Sequence, residues 1–148
     1  MRYLRRWRRH SRDEQKLFLL ALFATSMVRA SLLTLRLTVI RPAVNRYMRA
    51  AFPLPPHKRQ SVEHIVWAVA AAARYSPVGT TCLASALVAQ ALFSRHGYHT
   101  CLRIGVRRDA DGSFAAHAWV ERDGYILVGG AVEVLDFTPL PAIDHLLV

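Results

Sequence analysis

The chain has 148 residues, 53% hydrophobic and 20% charged, which excludes a disordered chain and suffices for one domain with a buried core. Its formal net charge of +10 is unevenly spread: residues 1–60 carry 14 Lys/Arg against Asp13 and Glu14, a balance of +12, whereas residues 61–148 carry 6 Lys/Arg against 8 acids, a balance of −2. Two cysteines, Cys82 and Cys101, give no disulfide framework and fit a reducing, cytoplasmic compartment.

At the N-terminus, Arg2, Arg5, Arg6, Arg8, Arg9 and Arg12 precede an apolar run from Leu17 to Val28, a superficial likeness to a signal sequence. No small-residue cleavage site follows, and Arg29, Arg36 and Arg41 recur. About a dozen apolar residues also fall short of the roughly 20 that a spanning helix needs. The arginines read either as a solvated basic face or as a surface for something acidic, such as a partner protein or an anionic membrane surface met peripherally. Nucleic acid is disfavoured because no reader fold accompanies the charge.

Helical spacing of Leu17, Leu20, Ala21, Ala24 and Val28 predicts a long helix from Asp13 to about Ile40. Pro42 suits the first turn of a second helix over 43–51, and Pro53, Pro55 and Pro56 end it. The charged, proline-rich segment 53–59 is the natural linker between a basic helical arm, residues 1–60, and a core of residues 61–148, together expected to form one compact domain. Ser61 caps a predicted third helix whose buried stripe is Val62, Val66, Val69 and Ala73, stopped by Ser76-Pro77-Val78-Gly79. A fourth runs from Cys82 to His96 and is closed by Gly97.

Segments 98–107, 114–122 and 125–128 are rich in β-branched and aromatic residues, and Asp123-Gly124 between the last two is a strong hairpin signal. The C-terminal half therefore reads as an antiparallel sheet packed on the fourth helix. No internal repeat or low-complexity stretch interrupts it.

Two residues carry chemistry. A thiol at a helix N-terminus, the position of Cys82, feels the positive end of the macrodipole, which favours the thiolate that attacks carbonyl carbon. His117, on a strand-like His-Ala-Trp-Val-Glu segment, is the candidate base, so the pair has the minimum equipment for acyl transfer or peptide hydrolysis. Such chemistry needs no metal or organic cofactor. Cys101, among Leu102, Ile104 and Val106, reads as structural, and the histidines include no paired zinc clip; His96 and His99, beside Gly97, are expected on the surface.

Residues 64–140 resemble the transglutaminase-like cysteine peptidases that remove leader peptides during lasso-peptide biosynthesis. The residues carrying the resemblance are Trp67 with its Ala-rich helix, Thr81-Cys82-Leu83, Gly97 with Leu102-Arg103-Ile104-Gly105-Val106, and Ala116-His117-Ala118-Trp119-Val120-Glu121. Gly124 and Phe137-Thr138-Pro139-Leu140 extend the pattern. The resemblance implies an α+β fold of the papain and transglutaminase type, with Cys82 as nucleophile and His117 as base. It further implies a split enzyme whose partners are the precursor leader peptide, a small leader-recognition protein and an ATP-dependent macrolactam synthetase.

The third catalytic member departs from that pattern. Relatives of this type often carry an acid about a dozen residues after the histidine, where this chain has Gly129. If Asp123-Gly124 makes a two-residue turn, counting back sets His117 opposite Gly130, again without a side chain. Glu133 and Asp136 are the acids expected to reach back, with water or a backbone carbonyl as substitutes. Trp119 is expected to fill the core rather than line a cleft. An acyltransferase or amidase on the same scaffold, or a silent binding module using the basic arm, are the competing readings.

Overall fold

The protein is described here by a computed structural model covering residues 11–50, 54–130 and 134–141. Within these residues it is an α+β arrangement: four helices, a single 3-10 turn at Pro56–Lys58, and one antiparallel sheet. The helices are α1 (Arg12–Ser31), α2 (Leu37–Ala50), α3 (Val62–Tyr75) and α4 (Cys82–Arg95). The strands are β1 (Cys101–Arg108), β2 (Phe114–Arg122), β3 (Tyr125–Val128) and the two-residue β4 (Thr138–Pro139), in the order β3-β2-β1-β4. Pro139, which has no N–H for a ladder, sits on the edge strand, where proline is tolerated.

The predicted long first helix is two helices. Ser31 ends α1, residues 32–36 turn, and α2 begins at Leu37, so Pro42 lies inside α2 rather than in its first turn. The start of α1 is fixed by Ser11, whose hydroxyl accepts from the Glu14 N–H at 3.2 Å while the Glu14 carboxylate accepts from the Ser11 N–H at 2.6 Å, a reciprocal capping box. Ser61 caps α3 as predicted, by accepting from the His64 N–H at 3.3 Å. The buried stripe of α3 is turned toward Ile65, Ala68, Val69 and Ala72, with Val62 and Val66 at its margin.

Helix α4 is the centre of the molecule. From Ala86 to Phe93 every residue is buried, because α1, α2 and α3 pack against it on one side and the sheet on the other. A helix apolar all round is stable only when covered all round. Its one buried amide, Gln90, is satisfied: Arg41 Nε donates to Oε1 at 3.0 Å, and Nε2 donates to the Thr100 carbonyl at 3.4 Å. Gly97, at φ +83°, closes the helix in the left-handed conformation that glycine adopts freely.

His96 is buried, not on the surface. It is 2% exposed, and its Nδ1 accepts from the Gln60 N–H at 2.9 Å, which ties the linker to the end of α4. Burial, followed by the nearby Arg95 and Arg59 charges, pushes its pKa down to about 4. The first strand starts at Cys101, later than predicted, because Tyr98 leaves the sheet path to pack edge-on against Phe93 and donates its hydroxyl to the Gln60 carbonyl at 3.0 Å.

The β2–β3 hairpin turns at Asp123 and Gly124, at φ +52° and +82°, the pair of left-handed residues that a type I′ turn requires. Arg122 faces Tyr125 and Glu121 faces Ile126, as the turn predicts. A bulge then shifts the register, so Val120 faces Val128 instead of Leu127. The bulge lets the consecutive residues Leu127 and Val128 both pack against the hydrophobic core. The pairing ends at Val120 and Val128, so the predicted register that sets His117 opposite Gly130 is not part of the β2–β3 ladder.

Candidate active site

Cys82 is the first residue of α4. Thr81 holds the N-cap in an extended conformation, and its hydroxyl accepts from the Ala84 N–H at 3.2 Å, while its carbonyl takes the first helical bond from the Ser85 N–H at 3.0 Å. Thr80 braces the same turn through a 3.1 Å contact between its hydroxyl and that of Ser85. The cap satisfies the third N–H of the helix; the first ones, beginning with Cys82, have no carbonyl partner within it and so bear the positive end of the dipole. Cys82 is a free thiol, half-buried, and packs against the helical core.

His117 lies in the middle of β2, opposite Gly105 of β1. Alternation divides β2 cleanly. Ala118 and Val120 join the core beneath α4, while His117, Trp119 and Glu121 occupy the other face. The imidazole is 5.3 Å from the Phe137 ring and 6.4 Å from the Trp119 ring, centroid to centroid. Its Nε2 lies 2.6 Å from the carbonyl oxygen of Gly129. A carbonyl can only accept, so Nε2 carries the proton in that bond and the neutral ring presents its lone pair at Nδ1.

Gly129 explains the missing acid. Its φ is +116°, and a methyl group placed on it would lie 2.5 Å from Trp119 Cβ and 2.9 Å from Trp119 Cα. No side chain fits there, yet the main chain passes close enough to supply an acceptor to His117. Gly105 meets a similar constraint, since a methyl group there would lie 2.9 Å from both Phe137 Cβ and the Trp119 indole. The hydrogen bonds of the described residues do not link Cys82 with His117: the thiol is placed by the helical layer and the imidazole by the outer face of the sheet.

A family model described as the transglutaminase-like superfamily matches residues 24–142, which is most of the chain and includes both Cys82 and His117. The chain belongs to the transglutaminase-like superfamily. Comparison with curated proteins yields no match, and comparison with solved structures yields none either. The match begins within α1 and runs past β4, so part of α1 and all of α2 fall within the superfamily region. This scaffold is the type used by cysteine peptidases and acyl-transfer enzymes.

Around the superfamily core, Glu121 accepts from Arg103 Nε at 2.7 Å and from the Trp119 indole N–H at 3.4 Å. The bond to Glu121 raises the Arg103 pKa and locks the outer sheet face beside His117. Trp119 is 2% exposed, and it is buried on the sheet face away from α4, against Gly105, Gly129 and His117, rather than in the core beneath the helices. Asp136 is 72% exposed and faces Arg107 Nη1 at 3.7 Å, and Arg107 in turn lies over the Phe137 ring at 4.8 Å. Glu133 lies outside the described residues. Cys101 opens β1, paired with Glu121 in the register. No set of three His, Cys, Asp or Glu side chains among the described residues is grouped to hold a metal ion.

Proposed function

We propose that this chain is a cysteine peptidase that removes the leader peptide from a lasso-peptide precursor in the cytoplasm, with Cys82 as nucleophile and His117 as base. The observation that carries the reading is the position of Cys82 at a capped helix start inside the superfamily match. The Cys82 thiolate adds to the carbonyl carbon at the leader–core junction, and the C–N bond breaks as the protonated His117 Nδ1 delivers its proton to the leaving amine. Water then attacks the thioester, His117 takes its proton, and the leader carboxylate leaves Cys82 free. The reading requires Sγ and Nδ1 to come within hydrogen-bond reach in the substrate complex, so Cys82, packed on the helical core, and His117, on the sheet face away from it, must be brought together when substrate binds.

The bond from Nε2 to the Gly129 carbonyl supports this assignment, because it orients the ring with Nδ1 as the basic nitrogen. The backbone carbonyl then does the orienting that a carboxylate does elsewhere, and Asp136 and Glu133 become secondary candidates. The proposed partners are the leader peptide, a small recognition protein that delivers it, and an ATP-dependent macrolactam synthetase that receives the product.

The test is incubation of precursor, recognition protein and this chain, followed by mass measurement. The expected result is a leader fragment gained by one water and a free-amine core peptide. Cys82→Ala abolishes the products, and His117→Ala lowers the rate by roughly 10²- to 10⁴-fold while slowing iodoacetamide labelling of Cys82. Leader fragments carrying an added amine instead of water would assign the chain to acyl transfer. Intact precursor, with labelling of Cys82 indifferent to His117→Ala, would make it a binding module.

A further inference from the structure

We propose that the outer faces of α1 and α2, with the turn between them, form a docking surface for an anionic lipid bilayer. On α1, Leu19, Phe23 and Met27 recur every four residues on the side opposite the buried Leu17, Ala21, Ala24 and Val28, and each is more than half exposed. The turn adds Leu33, 76% exposed, and Leu35. On α2, Val39 and Tyr47 are also more than half exposed, and together with Pro42, Ala43, Arg46 and Ala50 they line a shallow depression of about 540 Å³. Seven of the thirteen large apolar side chains exposed among the described residues fall between Leu19 and Tyr47, a concentration in two helices and the turn that joins them.

Charge identifies the occupant. From Gln15 to Ala50 the chain carries six cations, Lys16, Arg29, Arg36, Arg41, Arg46 and Arg49, and no carboxylate. Arg41 is committed to Gln90, and Arg49 donates to the Ser94 hydroxyl at 2.5 Å, but Lys16, Arg36 and Arg46 are exposed beside the apolar residues. In sequence the same sign continues through residues 1–10, which hold five arginines. The matching surface must offer hydrocarbon and negative charge together over an extended area. The interfacial region of an anionic bilayer offers both, and amphipathic basic helices lie in its plane. No helix among the described residues is long and apolar enough to cross a membrane, so the contact is peripheral.

The experiment is sedimentation of the full chain with vesicles of mixed phosphatidylglycerol and phosphatidylcholine, against vesicles of phosphatidylcholine alone. Binding is expected to the anionic vesicles and to weaken as salt rises to about 0.5 M. Arg36→Glu with Arg46→Glu is expected to lower partitioning by at least the roughly fivefold per cation that an anionic surface contributes. Phe23→Ser with Val39→Ser is expected to lower it without changing its salt dependence. Both double variants alter exposed positions, and an unchanged circular dichroism melt confirms folding. Equal binding to neutral vesicles, or unchanged partitioning in both variants, would overturn the proposal. So would binding to poly-glutamate with no binding to anionic vesicles, which would assign the surface to an acidic protein. None of these readouts depends on peptidase activity, so they stand or fall separately from it.

Discussion

The helical layer and the outer face of the sheet are held together in different ways. Around α4 the contacts are mostly apolar and interchangeable: Ala86 to Phe93 are buried by neighbours on every side, and Gln90, bonded to Arg41 and Thr100, is the polar exception. On the outer face of β1 and β2 the contacts are few and specific. Two glycines yield space to Trp119 and Phe137, one carbonyl holds His117, and one carboxylate joins Arg103 to Trp119. A layer of the first kind tolerates exchange of one apolar residue for another of similar volume. A face of the second kind does not, because each contact has a single geometry.

The sharpest way to break this contrast is Gly129→Ala. One added methyl group meets the Trp119 backbone and must adopt φ near +116°, so overpacking and strain together are expected to cost roughly 4 kcal/mol. Urea denaturation measures this loss, and the variant is also expected to lose precursor cleavage. A loss below about 1 kcal/mol would show that the sheet face is as forgiving as the helical layer.

At the junction of the two regions, His96 makes stability depend on pH. Its pKa in the folded protein, about 4, lies below its ordinary value of 6.5, so the unfolded chain binds the proton more readily between those limits. Its contribution is therefore complete above about pH 6.5 and is lost as pH falls toward 4, amounting to up to about 3 kcal/mol. Urea midpoints measured across that window should fall with pH, and His96→Gln should flatten the slope. An equally steep slope in the variant would assign the effect to other groups.

The smallest expected effect probes the helical layer. Thr25 is fully buried in α1 and its hydroxyl has no hydrogen-bond partner among the described residues. Replacing it with the isosteric valine removes that unpaired group and should raise stability by about 1 kcal/mol. Thermal melting checks this, and a destabilised Thr25→Val would mean that the layer is less interchangeable than described.

Features that depend on neighbours in sequence were legible. Thr81 precedes Cys82 at the start of α4, Gly97 closes it, Ser61 caps α3 and Asp123-Gly124 turns the hairpin, each within a few residues of its effect. Features set by distant parts of the chain were not. The break at Ser31–Arg36 contains no glycine or proline, and continuous helical propensity runs across it. His96 is buried by a bond to Gln60, thirty-six positions away. The bulge between Val120 and Glu121 leaves no mark in the hydrophobic pattern, yet it shifts the pairing so that Val120 faces Val128. The capping box at Ser11 and Glu14 is legible in the sequence as Ser-Arg-Asp-Glu ahead of the apolar run beginning at Leu17.

The acceptor for His117 belongs to the main chain, which gives it an unusual genetic property. An orienting carboxylate is removed by one codon change, whereas the carbonyl of residue 129 is present whatever residue is encoded there. Substitution can displace that oxygen but cannot delete it. What is inherited at this position is therefore the path of the chain past Trp119, and the small residue is the condition for that path.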